Sequence, residues 1–166
     1  MRRSGSSRAL GSLLAICVAG CYHFAGGGLP QNVKTVAVLP FENETPSPTL
    51  QQEIYTQMRR QVQSRLGLRD APEGKADAIV RGRITRYDVD IPVAYSANPS
   101  QANTARRKLQ ITLDVEIVDQ TNGKTLWQQK GLMGEGEYAE RAEESGRRTA
   151  IDKIVNDVIT GAQSQW

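Results

Sequence analysis

Two periods of apolar residues alternate along the chain from Val33 onward. "VKTVAVLPF" (Val33 to Phe41) is a β-branched apolar run, too short for a helix and stopped at Pro40, and it predicts a buried strand. The loop "ENETPSPT" then carries helix-start chemistry: Ser47 before Pro48, or Thr49 with Gln52 three residues on. Leu50, Ile54, Met58 and Val62 recur every four residues, joined by Tyr55 and Leu66, and predict one buried face of an amphipathic helix ending at Gly67.

A short extended piece at Leu68 and Arg69 leads into the loop "DAPEGKA". From Ala78 to Val93 the pattern is strand-like, but its parity changes. Ala78, Val80, Gly82 and Ile84 share one face, whereas Tyr87, Val89, Ile91 and Val93 share the other, so a bulge near Thr85 and Arg86 is expected to restore a single buried face. Residues 94–107 are polar and read as a mobile loop. Leu109, Ile111, Leu113, Val115 and Ile117 alternate without a break, Asn122-Gly123 marks a hairpin, and "TLWQQKGLM" returns as the next strand with Trp127 packed in the sheet. The last segment begins polar, "GEGEYAERAEESGRR", and becomes a helix with Ile151, Ile154, Val155, Val158 and Ile159 on one stripe and Gly161 as its cap. This order predicts an α+β fold: a two-layer sandwich of a roughly four-stranded mixed sheet with two helices packed on one face.

The N-terminus obeys different rules. Arg2, Arg3 and Arg8 form a positive start, and Ala9 to Ala19 is an apolar stretch of signal-peptide length, short of the ~20 residues that span a bilayer. Val18-Ala19-Gly20-Cys21 resembles the bacterial lipobox, in which the thiol is diacylated, the chain is cut before it and the new amine is usually acylated too. Residues 1–20 are therefore expected to be a lipoprotein signal peptide, 21–32 a lipidated Gly-rich tether, and 33–166 a single domain. Cys17 leaves with the signal, so no intramolecular disulfide is expected. Two or more acyl chains hold a protein stably on a membrane. Tyr22 stands where an Asp would signal inner-membrane retention, which favours the outer membrane.

Charge changes the picture once the signal is set aside. The net charge is +3, but three arginines and no acids lie in the signal, leaving 18 basic against 18 acidic residues of the original 21 and 18. A nucleic-acid partner, which requires a basic domain, loses its support.

The lipidated Cys21 followed by Tyr22, the block "GGGLPQNVKTVAVLPFENETPSPTLQQEIYTQMRRQVQSRLGLR", "ADAIVRGRITRYDVDIPVAYS" and "LDVEIVDQTNGKTLWQQ" together resemble the LptE-related lipopolysaccharide-assembly lipoproteins over nearly the whole mature chain. The resemblance implies a small sheet with two helices inside the lumen of an LptD-type outer-membrane β-barrel, as plug and assembly partner in delivery of lipopolysaccharide. Many relatives place Gly between the lipidated Cys and the Tyr, and this chain does not. The alternative is a periplasmic lipoprotein of another envelope or secretion complex, because "VAVLPFEN" also begins other envelope domains.

Candidate chemistry is sparse. His23 lies in the tether and Cys21 is expected to be acylated, so neither a Cys–His pair nor a Ser–His triad can be built within the domain. Asp88 and Asp90 share a strand face, as a hydrolase or metal site would need, but without a histidine or fitting third acid they read as exposed polar alternation. Gly26 to Gly28 lack the Lys-Ser/Thr of a phosphate loop. No catalysis, metal or cofactor is expected. The more informative set is basic: Arg81, Arg83, Arg86 and Lys108 are expected to project outward from paired strands, with Arg106 and Arg107 in the adjoining loop. Guanidinium groups bind phosphate bidentately, and the lipid A part of lipopolysaccharide carries phosphates, so this face is a candidate glycolipid contact. The competing expectation is that Arg83 and Arg86 pair across the hairpin with Asp114 and Glu116. Trp166 ends a polar tail, where it either folds back on the last helix or anchors in a partner's wall.

Overall fold

The computed structural model describes residues 29–93 and 106–164; Cys21, Tyr22, His23, Gly26 to Gly28, the 94–105 connection and Trp166 lie outside the described residues. One mixed sheet carries six strands: β1 (Thr35–Val38), β2 (Glu42–Asn43), β3 (Arg69–Asp70), β4 (Ala78–Pro92), β5 (Arg106–Asp119) and β6 (Thr125–Ala139). Their order is β3-β1-β4-β5-β6, with β2 alongside β4. β1 runs parallel to both β3 and β4, β2 runs parallel to β4, and β4, β5 and β6 form an antiparallel meander. Helices α1 (Pro48–Leu66) and α2 (Glu143–Ser164) cover one face.

The apolar positions explain this layering. Leu50, Ile54, Met58 and Val62 on α1 are fully buried, as are Leu109, Ile111 and Leu113 on β5 and Ile154, Val158 and Ile159 on α2. Tyr55 is partly buried against the same cluster. Removing such side chains from water is the main driving term, about 1.5 to 3 kcal/mol for each large aliphatic residue.

The sheet has six strands rather than about four because it also takes in two-residue pieces, β2, too short to show alternation, and β3, which is the short extended piece expected at Leu68 and Arg69 moved one residue on. The bulge expected near Thr85 is present between Ile84 and Arg86, and the Thr85 hydroxyl donates to the Thr112 carbonyl there. Arg106 and Arg107 belong to β5 and not to a loop. The polar stretch after Met133 continues β6 to Ala139, six residues beyond the expected strand end; the pattern was hidden because its first two inward positions are Gly134 and Gly136, with Tyr138 the third. A β-carbon on Gly136 would lie 1.9 Å from the Gly146 carbonyl oxygen of α2. Here the backbone itself replaces the apolar side chain that marks a strand. Gly161 is likewise no cap: it lies inside α2, where a β-carbon would meet Trp127 Nε1 at 2.4 Å.

Both helix ends of α1 are set locally. Pro48 opens it, Gly67 closes it in the left-handed region (φ 67), and the expected Ser47 side-chain cap is not made. Asn43 orders the turn that leads into the helix: its Oδ1 accepts from the Thr45 amide (3.0 Å) and its Nδ2 donates to the Ser47 carbonyl (2.8 Å). Two further aspartates fasten the sheet ends. Asp77 Oδ2 accepts from the Lys34 and Thr35 amides, both at 2.9 Å, and from the Thr35 hydroxyl, and these bonds hold its carboxyl below the usual range. At Asp119, 2% exposed, burial pushes the carboxyl up, but donation from the Thr121 amide, Asn32 and Asn122 outweighs it and leaves the net value lowered.

Gly136→Ala is expected to lower the unfolding free energy read from urea titration by about 1 to 3 kcal/mol through overpacking. Gly74→Ala, where no atom lies within 4 Å of the added carbon, should stay within about 0.5 kcal/mol. Equal losses for the two would contradict the backbone seam between β6 and α2.

Candidate functional site

The sheet face opposite the helices collects the charged positions of the long strands. Arg81 pairs with Glu116 (2.6 Å), and Arg83 with Glu44 (3.2 Å) and Asp114 (3.9 Å). Lys108 pairs with Glu135 (3.0 Å), and Arg106 with Glu137 (3.4 Å). Arg86 reaches Asp88 on its own strand (4.0 Å) and not the cross-strand acids, since the bulge resets its register opposite Thr112. The expected ion pairing is therefore present, with Arg86 the exception in partner.

The six-cation cluster is not continuous. Arg107 alternates to the other face, where it pairs with Asp90 at 2.9 Å. This also separates the two aspartates considered for acid–base or metal work. Asp88 engages Arg86, while Asp90 accepts from Tyr138 and Arg107, which hold its carboxyl below the usual range. Among the described residues no group of three or more His, Cys, Asp or Glu side chains is placed to hold a metal, and no helix is long and apolar enough to cross a membrane.

One depression of about 650 Å³ opens on the charged face, between the Leu39-Pro40 turn and the middle of the meander; Glu42, Arg81, Arg83 and Lys130 line it. Lys130 was absent from the sequence-based set. It makes no ion pair among the described residues and is presented by an irregularity in β6, where Gly131 adopts φ 63 and its amide donates to Asp114 Oδ1 at 2.8 Å. The signal for it was the "QKG" break in the alternation of β6. The charges on this face are nearly balanced. An anion bound there must displace carboxylates, which is inexpensive because exposed ion pairs contribute only about 0 to 1 kcal/mol each.

A more buried network lies on the helix side. Arg147, with 16% of its side chain exposed, donates to both oxygens of Glu53 on α1 (2.8 and 3.0 Å) and to Glu143 (3.2 Å), and Glu143 accepts from the Tyr87 hydroxyl at 2.5 Å. Burial first, then the bond to Glu143, pushes the Tyr87 hydroxyl up to about 12, so it stays protonated as a donor. The network ties β4, α1 and α2 together at one end of the sandwich.

The family model described as "LptE: Lipopolysaccharide-assembly" matches residues 33–160. No curated protein matches the chain. Among solved structures, protein CT253 from Chlamydia trachomatis is similar at 13% identity, covering 78% of this chain and 98% of that chain, with a TM-score of 0.50. A minor lipoprotein from Acinetobacter baumannii is similar at 13% identity, covering 81% of this chain and 94% of that chain, also with a TM-score of 0.50. At these identities the likeness is one of fold.

Arg147→Met is expected to destabilise the protein by about 1.5 to 3 kcal/mol, as loss of the hydrogen bonds of a largely buried cation to half-exposed carboxylates does. Arg81→Ala on the open face should cost no more than about 1 kcal/mol. Paired urea titrations check this, and a larger loss at Arg81 would make the open face structural rather than available for binding.

Proposed function

The chain belongs to the LptE lipopolysaccharide-assembly family, and we propose that it serves as an outer-membrane lipoprotein of the lipopolysaccharide translocon, acting by binding and not by catalysis. The observation that carries this reading is the family match across residues 33–160, which takes in every strand and nearly all of α2. The lipobox ahead of it supplies the location: acyl chains on Cys21 hold the protein at the membrane surface, and the tether gives the domain reach. In this reading the domain sits in the lumen of an LptD-type β-barrel as plug and assembly partner, with Trp166 as a candidate anchor in the barrel wall.

Lipopolysaccharide contact falls on the open sheet face. Arg81, Arg83, Arg86, Arg106 and Lys108 are held there by exposed carboxylates, and Lys130 lies beside Arg81 and Arg83 in the depression. A lipid A phosphate offers the same bidentate acceptor geometry as those carboxylates with more charge, so it can replace them one for one. Arg107, on the other face, contributes only where the glycolipid reaches round the strand end.

Purification through the full chain from detergent-solubilised envelopes is expected to co-isolate a large heat-modifiable β-barrel, and Cys21→Ser is expected to leave the protein unprocessed or released from the membrane. Recovery of a different envelope complex would replace the translocon reading, and normal membrane retention of Cys21→Ser would overturn the anchor. Arg83→Glu with Arg86→Glu is expected to weaken lipopolysaccharide binding severalfold with the fold retained; unchanged binding would remove the open face as the glycolipid contact.

A further inference from the structure

The apolar pattern and the observed pairing disagree at one place. Tyr87, Val89, Ile91 and Val93 alternate as a single apolar row, which an uninterrupted β4 would turn to the helix-bearing face beside Ile111 and Leu109. The ladder instead runs from Asp88 opposite Gln110 to Ile91 opposite Lys108, so Val89 and Asp90 together face Leu109. This second bulge leaves Val89 41% exposed, one of two exposed large apolar side chains among the described residues, and turns Ile91 to the charged face. It also places Asp90 at φ 59, a left-handed conformation that glycine adopts freely and that Asp adopts at a modest cost.

Three bonds hold that arrangement. The Asp90 amide donates to the Tyr138 hydroxyl oxygen (3.0 Å), the Tyr138 hydroxyl donates to Asp90 Oδ1 (2.8 Å), and Arg107 Nη1 meets the same oxygen at 2.9 Å. Tyr138 comes from β6 and is 6% exposed, and Arg107 comes from β5, so one strained residue is fastened from two neighbouring strands.

We infer that the end of β4 has two pairing registers and that the Asp90–Tyr138–Arg107 latch selects the bulged one. In the second register the pairing that runs to Asp88 continues without a break: Val89 opposes Leu109, Asp90 opposes Lys108 and Ile91 opposes Arg107. Val89 and Ile91 join the apolar face, Asp90 turns outward beside Lys108, and the strand end moves by one residue along β5, about 3.3 Å. A slip of one residue exchanges the two faces of a strand, so this end of the sheet has two surfaces available to a partner. Apolar burial and relief at Asp90 favour the regular register, and the three bonds favour the bulged one. The neighbouring pairs Lys108–Glu135 and Arg106–Glu137 lie on β5 and β6 and persist in either.

Register-specific disulfides test this in the full chain with Cys17 and Cys21 replaced by Ser. The Ile91→Cys/Lys108→Cys pair faces directly in the bulged register and Pro92→Cys/Arg106→Cys in the regular one, and directly opposed strand residues lie within disulfide range. In the parent the first pair is expected to cross-link faster. Tyr138→Phe, which removes both bonds between that side chain and Asp90, is expected to reverse the order. A folded Tyr138→Phe chain that keeps the parental order overturns the inference. Should Tyr138→Phe not fold, Arg107→Gln is read in the same two backgrounds: a shift towards the Pro92/Arg106 pair supports the latch, and no shift overturns it.

Discussion

The backbone seam between β6 and α2 is the constraint on which the remaining geometry depends. Gly134 and Gly136 bring strand backbone against the Ala150 and Gly146 carbonyls of the helix, closer than any side chain permits. That contact fixes the height of α2 over the meander. It thereby fixes where Trp127 meets Gly161 at one end and where Arg147 meets Glu53 and Glu143 at the other. A seam of glycines places its neighbours within narrow limits because there are no rotamers to absorb an error.

With one face committed to that seam, the other carries charge in nearly equal amounts. The consequence is a surface rich in donors and acceptors with little net field. Such a surface discriminates by geometry at short range more than by long-range attraction. This suits a protein read as living inside a complex beside anionic glycolipid, where strong uncompensated charge would attract every anion equally.

The layers were legible in the sequence wherever side chains carried the pattern. Leu50 to Val62 and Leu109 to Ile117 announced a helix and a strand because each inward position held a large apolar residue. The first bulge was legible because parity changed across Thr85 and Arg86. What failed to show were features carried by backbone: the far half of β6, where the inward positions after Leu132 begin with Gly134 and Gly136, and the two-residue strand β2, whereas β3 showed as the short extended piece at Leu68 and Arg69. For the site, the outward direction of Arg81, Arg83 and Arg86 followed from alternation, but their partners depended on register. Glu44 reaches Arg83 only because β2 lies parallel to β4, a pairing of distant segments that no local pattern encodes. Lys130 emerged only with the irregularity that presents it.

The Asp77 clamp bears on how this domain carries mechanical load. Tension in the chain ahead of Val33 meets the Asn32–Asp119 bond and then Lys34 and Thr35, whose amides are held by one carboxylate at the start of β4. Just beyond, β1 lies between two parallel neighbours, β3 and β4. A pull along β1 therefore stresses the ladders on both sides in shear, many hydrogen bonds at once, and does not peel them one by one. The end of the domain at which the preceding chain enters is built as a lap joint.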